Sequence, residues 1–439
     1  MFKYYLKLGV RNLRRNPVMT ALMVLTLAIG VAASVSTLTI LYVMSGDPIP
    51  HKSSRLISPL LDVRPMRDYT PGDVPGFPLM SYPDAVNLLQ SKQGVRRTAL
   101  YDVGGSIEPA TAGMPVIDTD GIATTADYFA MFEVPFLHGG AWSAEDDKRA
   151  AKVAVLSRKH SEKVFGNANP VGRTFRVFSQ DFQVIGVLDR WEPVPRYTHL
   201  INGSGGSAFD GEEAIYIPFN TAVALKLESN GSTSCAGNRN PGYQGLLDSE
   251  CMWIQFWFEL DKAGDAGQLR SWLEAYLGEQ RKLGRFPRPE PARIYNVMQW
   301  MDQLEVVDND NRLAVWLAFG FLVLCLVNTM GLLLAKFSVR APEVGVRRAL
   351  GATRAAIFRQ FLVESGVVGL AGGVCGLLLS LLCLHLIGLA SQELSVVARM
   401  DWSMLAFTLA LSVGASVLAG LLPTWRASRV TPAVQLKSQ

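Results

Sequence analysis

Four stretches of this 439-residue chain are apolar and nearly free of charge: Val18 to Met44, Leu313 to Ala335, Phe361 to Ala390 and Met404 to Leu422. The shortest has 19 residues, and at about 1.5 Å per helical residue each reaches roughly the 30 Å of a bilayer's hydrocarbon core. The pattern predicts four membrane helices, around which everything else must be arranged. The first run has 27 residues, more than the roughly 7 to 15 of a signal-peptide core, and no small-x-small cleavage site follows it, although Ala32-Ala33-Ser34 lies inside. It reads as a retained span.

Basic residues set the expected orientation. Residues 1–17 carry Lys3, Lys7, Arg11, Arg14 and Arg15 without an acid, the segment 336–360 carries six basic residues against Glu343 alone, and the tail 423–439 adds Arg426, Arg429 and Lys437. The positive-inside rule places all three in the cytoplasm. In 1–17, Phe2, Tyr5, Leu6, Val10 and Leu13 recur between the basic residues, which predicts a helix lying against the lipids of the inner leaflet. The segment 45–312 holds 27 Lys and Arg against 34 Asp and Glu, a net of −7, and is expected outside. The overall charge of +4 therefore gives no argument for nucleic acid.

Within 45–312, residues 45–80 are rich in Pro, Gly and Asp and read as irregular. Tyr82 to Gln90 and Arg158 to Phe165 read as short helices. Strands are expected at Thr98 to Val103, Gly121 to Thr124, Val153 to Leu156, Thr174 to Phe178, Phe182 to Leu188 and Ala214 to Pro218, from alternation and β-branched or aromatic enrichment. Residues 200–250, with Asn-Gly-Ser-Gly-Gly-Ser and Asn-Gly-Ser-Thr, read as loops. A β-α-β unit follows: strand Trp253 to Leu260, helix Gly264 to Gln280, strand Ala292 to Val297. From Met298 to Arg312 the pattern is helical and runs into the second span, predicting a continuous stalk. The expected class is an α+β membrane protein, four transmembrane helices with a large mixed α/β domain inserted between the first and second.

The most specified short stretch lies between the second and third spans. Pro342 suits a first helical turn, Glu343 complements the positive end of the dipole, and Gly351 suits the C′ position. Val346, Ala349 and Leu350 share one face, while Glu343 and Arg347 are spaced to pair. Glu343, Val344, Gly345, Val346, Arg347, Arg348, Ala349, Leu350, Gly351 and Ala352 thus make a compact, apolar and basic knob, either for another protein or for anchoring the loop to the membrane.

No engine is evident. The chain lacks Gly-x-x-x-x-Gly-Lys-Ser/Thr, His-Glu-x-x-His and Gly-x-Ser-x-Gly, so it neither cradles a nucleotide by the usual loop nor shows a catalytic constellation. His51, His138, His160, His199 and His385 are scattered and read as ordinary surface or core residues. Glu364 is shallow enough in the third span to snorkel toward the basic loop, and His385 lies near the outer interface, so no proton pathway is assigned. Cys325, Cys375 and Cys383 fall in spans as small apolar fillers. Cys235 and Cys251 are the only pair outside, where an oxidising compartment favours a disulfide. Gly366, Gly369, Gly372, Gly373 and Gly376 crowd the third span, with Gly369 and Gly373 four apart. Such spacing lets helices pack closely, within the chain or in a dimer, and Asn328 is placed to add an interhelical hydrogen bond.

Several motifs carry a family resemblance: Leu8-Gly-Val-Arg-Asn-Leu-Arg-Arg-Asn16, Asp127-Tyr-Phe-Ala-Met-Phe-Glu-Val-Pro135, Val153-Ala-Val-Leu-Ser157 with Phe165-Gly-Asn-Ala-Asn-Pro-Val-Gly172, Phe182-Gln-Val-Ile-Gly-Val187, Glu343-Val-Gly-Val-Arg-Arg-Ala-Leu-Gly-Ala352, Phe361-Leu-Val-Glu364, and Pro423-Thr-Trp-Arg-Ala-Ser-Arg-Val-Thr-Pro432. With the order of one span, a large external domain and three spans, the chain resembles the permease subunits of MacB/FtsX-type ABC transporters. The resemblance implies a non-catalytic inner-membrane subunit with both termini cytoplasmic, a periplasmic core domain, and a second permease as partner. It also implies a cytoplasmic ABC ATPase docked at Glu343 to Ala352. An ATPase domain ahead of residue 1 is not expected, and ATP and Mg are expected only in that partner, with no cofactor or metal in this chain. The implied function is mechanotransmission, in which ATP-driven closure moves the periplasmic domain to export a peptide, antibiotic-like molecule or lipoprotein, with a periplasmic adaptor and outer-membrane channel as further partners. A regulatory FtsX-like protein that activates a periplasmic enzyme or sensor is the alternative.

Overall fold

The computed structural model describes residues 16–75, 79–108, 116–200, 208–209, 212–235, 237, 239–390 and 402–428. The interfacial helix expected over 1–17 lies almost wholly outside them, as does the tail beyond residue 428. The chain divides into a sheet unit, Gly46–Val306, and a helical unit formed by Met1–Ser45 and Val307–Gln439.

In chain order the principal helices are α1 (Pro17–Met44), α2 (Ala266–Lys282), α3 (Val297–Gln303), α4 (Asn309–Val339), α5 (Ala341–Ala349), α6 (Arg354–Ala390) and α7 (Trp402–Ser428). The strands are β1 (Leu56–Leu60), β2 (Arg96–Glu108), β3 (Ile117–Thr124), β4 (Phe136–Gly139), β5 (Val153–Leu156), β6 (Thr174–Val177), β7 (Gln180–Leu188), β8 (Ile215–Pro218), β9 (Gln255–Glu259) and β10 (Arg293–Asn296).

The ten strands form one mixed sheet in the order β10-β1-β9-β2-β3-β8-β5-β7-β4. β6 pairs with both β2 and β7, which closes β2-β3-β8-β5-β7-β6 into a ring of six. The expected β-α-β unit is present as β9-α2-β10, with β1 inserted between its strands: Ile57 faces Phe258 on one side and Asn296 on the other. β1 was hidden in the stretch read as irregular because it contains Pro59, which has no N–H to give a ladder. It is accommodated because pairing with β9 involves only Leu56 and Ile57. β9 is buried along its whole length, and its terminal Glu259 takes Lys52 at 2.9 Å and Arg96 at 2.9 Å, so the buried carboxylate is paired.

Cys235 and Cys251 are disulfide-bonded, closing a loop of sequence separation 16. Chain-entropy reasoning assigns such a loop about 3 kcal/mol. Reduction is expected to lower the unfolding temperature of the sheet unit, and intact-mass measurement with and without reductant before alkylation checks the bond. A thiol count unchanged by reductant would contradict it.

The stalk is not continuous. Helix α3 ends at Gln303 and α4 begins at Asn309, with Glu305 at φ 50° between them. The run Asp308-Asn-Asp-Asn311 favours a new start over continuation: the Asp308 carboxylate accepts from the Asn311 N–H at 2.9 Å, an N-cap. Trp300 of α3 is fully buried, so this short helix belongs to the core of the sheet unit.

In the helical unit each membrane helix has 27 residues or more. Helix α6 is packed by two rows of glycine. A Cβ on Gly369 would lie 2.4 Å from the Ser416 Cβ and one on Gly373 2.8 Å from the Ser412 Cβ, both on α7. On the other row, a Cβ on Gly372 would meet Leu27 at 2.7 Å and one on Gly376 would meet Val31 at 3.0 Å, both on α1. Close approach lets serine hydroxyls reach backbone carbonyls across helices: Ser412 donates to the Gly369 carbonyl at 2.8 Å and Ser416 to that of Ser365 at 2.6 Å. The small residues therefore pack within the chain. Asn328, by contrast, is exposed and makes no interhelical hydrogen bond among the described residues. Gly369→Val is expected to lower stability by about 1–3 kcal/mol through overpacking, whereas Gly366→Val, where nothing lies within 4 Å of the new Cβ, is not. Thermal unfolding in detergent compares the two, and equal losses would reject the packing argument.

Candidate functional site

The stretch Glu343 to Ala352 folds as the body and end of α5. Pro342 occupies its first turn and Glu343 follows, as the macrodipole favours. Gly351, at φ 98°, ends the helix: its N–H reaches the Arg348 carbonyl at 3.1 Å and the Ala352 N–H reaches that of Arg347 at 3.0 Å. These two bonds make a Schellman cap that a residue with a Cβ adopts less readily.

The helix has two sides. Val344, 4% exposed, and Gly345 are buried; Val344 packs with Met23, Leu333, Phe337, Ile357, Phe361 and Val368, with Ala352 against the cluster. Val346, Ala349 and Leu350 face outward, with Leu350 83% exposed. Burying α5 on one side thus leaves an apolar ridge with no partner among the described residues, beside exposed Arg354 and Arg359. Arg347 braces the helix, meeting the Glu343 carboxylate at 2.5 Å and the Gln360 side-chain carbonyl at 3.1 Å. Near its start an open groove of about 420 Å³ is lined by Leu334, Phe337, Ala341, Pro423 and Arg426 among others.

Beneath this surface lies an ion cluster that the sequence reading missed. Glu364, 1% exposed, does not snorkel out; it meets Lys336 Nζ at 2.8 Å and the Arg340 guanidinium at 3.1 Å. Lys336 lies in the last turn of α4 and Glu364 in α6, so the pair ties together the two helices that carry α5. The sequence signal was available: an acid in an apolar run needs a cation, and Lys336 and Arg340 border the same loop. His385 is exposed on α6, 21 positions from Glu364.

In the sheet unit, one of the scattered histidines has company. His199, 1% exposed, adjoins Asp102 and Glu213, both buried, with Nδ1 at 3.1 Å from Asp102 and 3.7 Å from Glu213. Arg196 pairs with Glu213. Burial pushes the Asp102 carboxyl up to about 6, His199 pulling it the other way. Burial also works to raise Glu213, but Arg196 and then His199 outweigh it and hold it low. Residues 102, 199 and 213 are brought together only by the fold.

The family described as the MacB-like periplasmic core domain matches residues 20–276, and the FtsX-like permease C-terminal family matches residues 315–432. The chain belongs to the MacB/FtsX permease family. Four apolar helices and a periplasmic-type domain fit an inner-membrane protein of that family. Among relatives, it is 27% identical over 71% of its length to the pyoverdine export ATP-binding/permease protein PvdT of Pseudomonas aeruginosa. It is 25% identical over 99% of its length to the macrolide export ATP-binding/permease protein MacB of Bdellovibrio bacteriovorus. The chain spans 41% and 61% of the length of those two relatives. The solved periplasmic region of MacB from Actinobacillus actinomycetemcomitans is 14% identical, with a TM-score of 0.36 over 58% of this chain and 95% of that one.

Proposed function

We propose that this chain is the permease subunit of an ABC exporter and that α5 is where a separate cytoplasmic ATPase docks. The observation that carries this reading is the two-sided helix: Val344 and Gly345 hold it to the membrane helices while Val346, Ala349 and Leu350 present an unpartnered apolar ridge. The basic segments flanking α5 support a cytoplasmic position for it, and the same rule favours both termini on that side with the sheet unit in the periplasm. Lys336, Glu364, Arg340 and Gln360 fasten α5 to the ends of α4 and α6, so a displacement of α5 by ATP-driven closure moves those helices with it. Because mechanical work arrives from outside the chain, no nucleotide site is needed within it.

Solubilising native membranes and identifying every protein that copurifies tests the reading. An ATPase together with a periplasmic adaptor and an outer-membrane channel is the expected result. An enzyme bound to the sheet unit with no adaptor would replace export by regulation, and the absence of any ATPase would overturn docking.

A further inference from the structure

We propose that Asp102, His199 and Glu213 form a site for one divalent cation of the zinc class, which fastens His199 and Glu213 onto strand β2. Their ligand atoms all lie within 4.8 Å of one another. Two distances can be compared with a metal's demands: a tetrahedral ion with bonds of about 2.1 Å spaces its ligands about 3.4 Å apart, and His199 Nδ1 stands 3.1 and 3.7 Å from the two carboxylates. The hydrogen bonding also points to a missing partner. Asp102 Oδ2 is buried and forms no hydrogen bond among the described residues, and His199 Nδ1 stands within reach of both carboxylates. A buried carboxylate oxygen left so is costly, and an imidazole nitrogen close to two carboxylates is a donor set that a divalent cation uses.

The surrounding groups hold the ligands in place. Thr198, next to His199, accepts from the Trp257 indole through its carbonyl at 3.1 Å and shares a hydrogen bond with the Tyr128 hydroxyl at 3.0 Å; both aromatics are fully buried. Arg196 anchors Glu213, in the way that outer partners orient metal ligands. With Asp102 and Glu213 ionised, Arg196 charged and the imidazole neutral, the cluster carries −1, and one divalent ion leaves +1. One imidazole and two carboxylates suit zinc over a purely oxygen-seeking ion. Asp102 lies on β2, and His199 and Glu213 on the connection that ends at β8, so the ion would join two members of the strand ring.

The full chain, purified in detergent without a polyhistidine tag, is to be assayed for zinc after gel filtration in zinc-free buffer. About one zinc per chain is expected, with Asp102→Asn and His199→Gln each losing at least tenfold in affinity in a chelator competition. Zinc below a tenth of an equivalent in the wild-type chain, or undiminished zinc in both variants, overturns the site. Cobalt loading of the wild-type chain decides the matter independently of how the variants fold. A visible band of a nitrogen and oxygen site is expected, whereas no band, or a thiolate charge-transfer band from Cys325, Cys375 or Cys383, rejects it.

Discussion

Arg347→Glu combined with Leu350→Asp is expected to strip the ATPase from the permease while leaving the permease folded. Leu350 is 83% exposed and lies outside the buried cluster, and among the described residues Arg347 is braced by the side chains of Glu343 and Gln360. Within the chain the cost is a repulsion against Glu343 of a few tenths of a kcal/mol. At an interface the same changes place a charge where an apolar anchor sat and reverse another, and residues of this kind cost about 2 kcal/mol or more each when truncated. Copurification of the ATPase should fall at least about a hundredfold, while the elution volume and unfolding temperature of the permease stay unchanged. Undiminished ATPase recovery would show that α5 is not the docking element. Val344→Asp is the contrasting variant: because Val344 sits inside the cluster with Phe337 and Phe361, it should fail by unfolding the loop.

Glu364→Gln is expected to have the largest effect on stability. Removing the carboxylate takes from the buried Lys336, 3% exposed, the acid it pairs with, a loss of about 3–5 kcal/mol. Replacing Lys336 and Glu364 together by Met and Leu should recover part of that loss, since an apolar pair of similar volume avoids desolvation altogether. Unfolding in detergent measures both. Should Glu364→Gln be as stable as the parent, the cluster is not what holds α4 to α6.

The four spans, the short helix α5 with its Gly351 cap and the short strands from β5 to β8 were legible because each rests on local chemistry: a charge-free run, a capping residue, an alternation of side chains. What escaped the sequence depends on which segments meet. Gly369 and Gly373 were visible as a close-packing row, but not Ser412 and Ser416 as the residues that fill it. Glu364 stood out, yet its partner Lys336 lies across a loop. The cluster of Asp102, His199 and Glu213 spans over a hundred positions and has no local signal. The stalk failed differently: helical periodicity was read through Asp308 to Asn311, where the polar side chains cap a helix more favourably than they continue one.

The two glycine rows of α6 constrain evolution in a way that substitution tables would miss. One residue inserted between Ser365 and Gly369 would turn everything beyond it by about 100°. Gly372 and Gly376 would leave Leu27 and Val31 together, and no single compensating substitution could restore both contacts. Point changes along this helix are graded in their effect, but its length between these residues is fixed, so insertions and deletions acceptable in surface loops should be purged here.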